Sequence, residues 1–222
     1  MQVRRRALSV VLRSAGLLLS LSLIAACSDK KPITSRGSSP TSTSTALTKT
    51  AVVHVRPVDD QGRLRSDFSV HATIEGATCA GNSVKVGELA HRCEAGTGLY
   101  DPCWTETDGP GGPSVLCMGQ PWSREVERLM TKTKIAPAPP TPGFDVPWGV
   151  ELANGKQCRF ATGAHDSVGD DVVDYYCDDP GPGLALLRSI RQTDPVWTAR
   201  AVRYANGRYE PVDAQPIATA WF

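Results

Sequence analysis

Residues 148–160, WGVELANGKQCRF, decide how the rest of the chain is read. Trp148, Val150 and Leu152 alternate with Gly149 and Glu151, Asn154-Gly155 follows, and Cys158 and Phe160 lead out. Asn and Gly both tolerate positive φ, which a two-residue hairpin turn requires. The stretch therefore predicts two antiparallel strands around a tight turn. The same grammar recurs where Val202 and Tyr204 lead into Asn206-Gly207, with Tyr209 beyond.

Moving outward, Phe68, Val70, Ala72 and Ile74 alternate with Ser69, His71 and Thr73, the period of a half-buried strand. Val84 and Val86 continue in that style. Ala51 to Val58 reads as a first strand or as the end of a tether, and Ile217, Thr219 and Trp221 place the C-terminal residues in a sheet. One segment supports two readings. Trp122, Val126, Leu129, Met130 and Thr133 fit helical spacing after Pro121 and a Ser123 cap. Val126 to Thr133 also alternates, with β-branched residues toward its end, and strand is favoured. The expected fold class is mainly β: a small disulfide-stapled antiparallel sheet or sandwich-like domain, with room for one short helix.

The cysteines sharpen this. Of seven, Cys27 stands apart, and Cys79, Cys93, Cys103, Cys117, Cys158 and Cys177 remain. An even set outside the cytoplasm reads as a disulfide framework. Six cysteines allow about 15 pairings. Sequential pairing, Cys79 with Cys93, Cys103 with Cys117 and Cys158 with Cys177, is favoured because each closes a short local segment. Zinc sites place cysteines about two to four residues apart, a spacing these do not have, so no metal is expected.

Residues 1–26 read as an export signal. Arg4, Arg5, Arg6 and Arg13 make a positive front, and Ala15 to Ala26 (AGLLLSLSLIAA) carries no charge. That run has the length of a signal core, short of the roughly 20 apolar residues needed to span a bilayer. A retained transmembrane anchor over Ala7 to Ala26 is the competing reading. The junction Ile24-Ala25-Ala26-Cys27 resembles a bacterial lipobox, in which small residues seat the peptidase and the cysteine sulfur takes the diacylglycerol. Acylated Cys27 would hold the protein on the outer face of the cell membrane, since two or more acyl chains give a stable anchor. A plain signal with an incidental cysteine is the alternative.

Residues 27–50, rich in Ser, Thr and Pro, bury too little apolar surface to fold and read as a tether. Residues 51–222 read as a single β-rich extracytoplasmic domain, crossed by a Pro-rich strap at 136–147 (APAPPTPGFDVP). Without the signal the chain holds 20 Lys+Arg against 23 Asp+Glu, a net charge of −3 with no basic stripe. Nucleic acid is excluded as a partner on that ground.

Residues with chemistry in them carry no sharp motif. Asp166, Asp170, Asp171, Asp174, Asp178 and Asp179 are dense enough to suggest calcium. A strand from Asp171 to Cys177 would put Asp171 on the face of Val173, Tyr175 and Cys177, and Asp174 on the other. That split favours solvated acids. His54, His71, His91 and His165 are the bases titrating near neutrality. His165 adjoins Asp166, but sequence neighbours rarely face each other, and no Gly-x-Ser-x-Gly elbow accompanies them. Gly112-Pro113-Ser114 reads as a turn. Asp101-Pro102 favours an Asx-type turn, across which Arg92 and Asp101 would form a structural bridge. Trp104, Trp122, Trp148, Trp197 and Trp221 would make either core or a sugar-stacking platform. No catalytic residue and no cofactor site is expected.

Taken together, Cys79, Arg92-Cys93, Tyr100-Asp101-Pro102-Cys103-Trp104, Val115-Leu116-Cys117, Pro147-Trp148-Gly149-Val150-Glu151-Leu152, Gly155, Cys158, Gly163, Tyr176-Cys177 and Trp197-Thr198-Ala199 resemble an exported domain of uncharacterised actinobacterial lipoproteins. The resemblance runs from about Phe68 onward. It implies extracytoplasmic placement and the disulfide set, and it implies no activity. The leading functional expectation is a non-catalytic cell-envelope accessory or binding module with an envelope protein or glycan as partner. An envelope glycan or peptide hydrolase and a regulator of another exported protein are the alternatives.

Overall fold

The computed structural model describes residues 46–87, 89–139, 146–177 and 183–222. The export signal, Cys27, most of the tether, residues 140–145 of the strap, Asp178 and Asp179 lie outside the described residues. Ser44 to Phe222 forms one compact unit. Among the described residues it contains thirteen strands and no helix. The chain is mainly β and stapled by disulfides. Five strands close into a barrel, and the others form a second sheet that is joined end to end by a further pairing.

The first barrel takes β2 (Ser69–Asn82), β3 (Ala90–Ala95), β4 (Gly98–Glu106), β5 (Ser114–Cys117) and β6 (Glu125–Thr131) in chain order. Four neighbours pair antiparallel, and β2 with β6 closes the ring in parallel. The ambiguous segment after Pro121 is therefore a strand. Its interior is narrow and filled by small side chains and sulfur: Ala77, Cys93, Ala95, Cys103, Val115, Cys117 and Leu129.

The second barrel takes β7 (Gly149–Leu152), β8 (Gln157–Phe160), β10 (Asp171–Cys177), β11 (Leu184–Arg191), β12 (Thr198–Ala205) and β13 (Arg208–Trp221). Here β13 pairs β12 along its first half and β7 along its second, which closes the ring. Both Asn-Gly segments turn hairpins, but only Asn206-Gly207 takes positive φ at both residues; in the first, Gly155 alone does, and residues 153–155 make a three-residue turn closed by the Leu152 N–H donating to the Lys156 carbonyl. The short β1 (Ala51–Val53) runs parallel to the end of β13, and β9 (Ser167–Val168) pairs the start of β10. Tyr175, Leu186, Ile217 and Ala199 fill the interior.

The sequential disulfides are the ones formed: Cys79–Cys93, Cys103–Cys117 and Cys158–Cys177. Each joins residues directly opposite each other on paired strands. A third core binds the barrels together. Trp104, Leu116 and Val126 from the outer face of the first meet Trp148 and Trp221 of the second, under the segment carrying Val55, Val58 and Phe68.

Candidate functional site

Two places concentrate polar chemistry. The first lies at the junction of the barrels. Val84 and Val86 do not continue a strand, because the Ser83 hydroxyl turns the chain by accepting from the N–H groups of Lys85 (2.9 Å) and Val86 (3.0 Å). The same hydroxyl donates to Asp101 Oδ1, whose other oxygen accepts from the Val84 N–H at 3.0 Å. Asp101 and Pro102 lie within β4, joined by a cis peptide bond, and form no Asx turn. Nor does Asp101 pair with Arg92, which instead donates from Nη2 to the Thr162 carbonyl at 3.2 Å and so ties one barrel to the other.

The turn folds Lys85 inward. The residue is 7% exposed, with its ammonium 5.9 Å over the ring of Trp148. Burial pushes its pKa from 10.5 down to about 8, opposed by the charge of Asp101 and reinforced by that of Arg159. Asp101 is held above the usual carboxylate range by burial, against the bonds from Ser83 and Val84. Trp148 is fully buried, and among the described residues its indole N–H meets no acceptor. Nearby, His91 Nε2 lies 2.9 Å from the carbonyl of Ala136 at the start of the strap.

The second place is the outer face of the second barrel, whose strand pairings are irregular at several points. Register shifts occur between Val173 and Tyr175, between Leu186 and Ile190, and between Ala199 and Ala201. Bulges of this kind re-aim side chains. The one at Asp174 reverses the expected alternation: Tyr175 and Cys177 face the interior, while Val173 and Tyr176 pack outside. Asp174, almost fully buried, accepts from Arg188 Nε at 2.8 Å and lies 3.1 Å from His165 Nδ1. The acid that meets His165 is thus Asp174, not its neighbour Asp166. That nitrogen also lies 3.1 Å from the Val173 carbonyl, and among the described residues no hydroxyl or thiol is bonded to the ring. The arrangement holds the loop before β9 in place. It has the orienting carboxylate of a general base, and among the described residues no nucleophile is bonded to the ring.

Asp166 accepts from Tyr209 at 2.6 Å and from Tyr176 at 3.0 Å, and these bonds hold its carboxyl below the usual range. Asp171 makes a bidentate pair with Arg200, at 2.8 and 2.7 Å. Beside that pair is a hollow of about 130 Å³ lined by Val168, Leu187, Val202 and Val212. Asp166, Asp171 and Asp174 are therefore committed to tyrosines, arginines and His165. Among the described residues no group of three or more His, Cys, Asp or Glu is placed to hold a metal ion.

The tryptophans form no platform. Trp104, Trp148 and Trp221 are core, and Trp122 and Trp197 pack against it half-buried. The exposed aromatic is Tyr204, edge-on to Tyr209 at 5.0 Å. Lys85 was missed because flanking valines made it look like the solvent face of a strand; Ser83 two residues before it was the available signal. Comparison with protein-family models, curated proteins and solved structures finds no match.

Proposed function

We propose that this chain is an extracytoplasmic lipoprotein, held on the outer face of the membrane by acylated Cys27, whose folded part is a non-catalytic accessory or binding module. The observation that carries the reading is the division of its cysteines. All six beyond Cys27 are consumed in cross-strand disulfides, which persist in oxidising compartments. Cys27 alone is left over, and it follows Ile24-Ala25-Ala26, the residues a lipobox requires.

The buried acids support a structural use of charge. Glu106 accepts from Arg128 at 2.6 and 2.7 Å and from Ser114 at 2.7 Å, Asp174 is shared by Arg188 and His165, and Asp101 pins the Ser83 turn. Each is saturated by partners within the fold. The resemblance to exported actinobacterial lipoprotein domains points the same way.

The test is expression of the full chain in a bacterium with lipoprotein processing, followed by membrane fractionation and mass spectrometry of the N-terminus. The expected result is a diacylglycerol-modified Cys27 in the membrane fraction and release of the Cys27→Ala variant. An unmodified thiol at Cys27, or a variant that stays with the membrane, overturns the reading.

A further inference from the structure

Leu187 and Val202 are buried in the hollow on the outer face of the second barrel, and Val168 and Val212 beside them are half-buried. Two of the register shifts fall here. Leu187 lies within the shift of β11 against β12. In the shift of β12 against β13 two residues, Asp213 and Ala214, oppose the single Arg200, and of the two only Ala214 lines the hollow. Bulges bend the strand that carries them and often stand next to active sites. The polar edge of the hollow is the bidentate pair of Arg200 with Asp171, whose side chains are 59% and 37% exposed. The pair engages both Nη groups and both carboxylate oxygens, and among the described residues Arg200 Nε makes no bond. A donor therefore remains on one partner and lone pairs on the other. With opposite charges side by side, an ionic ligand of either sign meets one like charge. A neutral amide meets none: its carbonyl accepts from the guanidinium and its N–H donates to the carboxylate.

We infer that this hollow binds a branched aliphatic side chain of a peptide segment from another exported protein, with a neighbouring backbone amide of that segment held by Arg200 and Asp171. The volume sets the size of the occupant. At about 130 Å³ it is near the roughly 150 Å³ that holds one benzene, which suits one side chain and no more. Among the described residues no aromatic side chain lines the hollow, so an aromatic or sugar ring would have nothing to stack on. Exposed Tyr204 is two residues along β12 from Val202 and extends the contact on the same face. An apolar anchor in a pocket, flanked by arginine and tyrosine, is the arrangement that carries most of the energy in protein interfaces. The inference names the partner of the binding module proposed above and rests on that reading, but the site itself does not depend on the anchor.

The test is a titration of the full chain in detergent, read by methyl NMR at Val168, Leu187, Val202 and Val212. N-acetyl-leucinamide is expected to shift these signals saturably, in the millimolar range of a ligand this small. N-acetylglycinamide, which lacks the side chain, should not. Leucinamide, a cation, and N-acetyl-leucine, an anion, should both bind more weakly than the neutral probe. Asp171→Asn leaves the guanidinium unopposed and should raise the preference for N-acetyl-leucine over leucinamide by roughly two- to fivefold, the worth of one exposed ion pair. Ala214→Phe, at the exposed rim, should fill the hollow and abolish the response. If that variant fails to fold, the ranking of probes on wild type and Asp171→Asn decides alone. Absence of saturation by N-acetyl-leucinamide, an equal response to N-acetylglycinamide, or an unchanged charge preference in Asp171→Asn overturns the inference. So does tighter binding of N-acetylphenylalaninamide, or a saturable response to N-acetylglucosamine alone. None of these outcomes bears on membrane fractionation, so failure here and failure of the anchor are separable.

Discussion

Replacing Cys103 and Cys117 together by alanine tests whether the narrow first barrel depends on its sulfur. The two residues are 14 apart and face each other across β4 and β5. Closing a loop of that length removes about 3 kcal/mol of entropy from the unfolded chain. Both side chains are buried in the barrel interior, so their loss also leaves a cavity costing on the order of 1 kcal/mol. The expected loss is about 4 kcal/mol, or roughly 8–16 °C in Tm at 2–4 °C per kcal/mol for a domain of this size. Urea denaturation of the otherwise oxidised protein measures it. The slope m should rise, because the freed unfolded chain exposes more surface. Alanines at Cys158 and Cys177, 19 apart, provide the comparison. Loop length alone separates the two pairs by only about 0.3 kcal/mol, so a larger gap reports packing. A loss under about 1 kcal/mol with m unchanged would refute the unfolded-state argument.

Two further outcomes follow from the junction. The folded pKa of Lys85 lies below its unfolded value, so between about 8 and 10.5 the unfolded chain binds more protons and stability rises with pH. Asp101 and Arg159 are the charges that act on Lys85. Below it the native state carries the full penalty of about 3 kcal/mol. Lys85→Met should be more stable than wild type by up to that amount at pH 7, the gap closing as the pH approaches 10.5, as denaturation at stepped pH will show. At Gly149 an added Cβ would meet the Pro121 ring, with Cδ at 3.1 Å, and Trp122 Cζ3 at 3.2 Å. Gly149→Ala should therefore cost about 1–3 kcal/mol in a thermal melt.

What could be read from the sequence was what local chemistry decides. The Asn-Gly turns dictate their own hairpins, and cross-strand cysteines close short loops that few other pairings would close as tightly. The barrels were not legible, because each ring closes through residues far apart in sequence: β2 with β6 in one, β7 with β13 in the other. Alternation also cannot foresee where it will break. The bulge at Asp174 turned Tyr175 inward and left Asp174 to His165 and Arg188. At Val84 and Val86 the period of two was real, but the Ser83 hydroxyl captured the backbone and inverted the face, which put the lysine inside. The tryptophans were undecidable for a related reason. Whether an indole stacks outward or packs inward depends on a partner surface, and for Trp104, Trp148 and Trp221 that surface is the other barrel.

Lys85 is the residue at which the fold carries a buried charge at a cost. A methionine would fill much the same volume at the junction, lose the desolvation penalty and keep contact with Trp148. Nothing in packing therefore explains the ammonium. The fold tolerates its cost because the three disulfides together contribute roughly three times as much. If Lys85→Met proved less stable than wild type at pH 7, the amine would be structural, held by the charge of Asp101 and the face of Trp148.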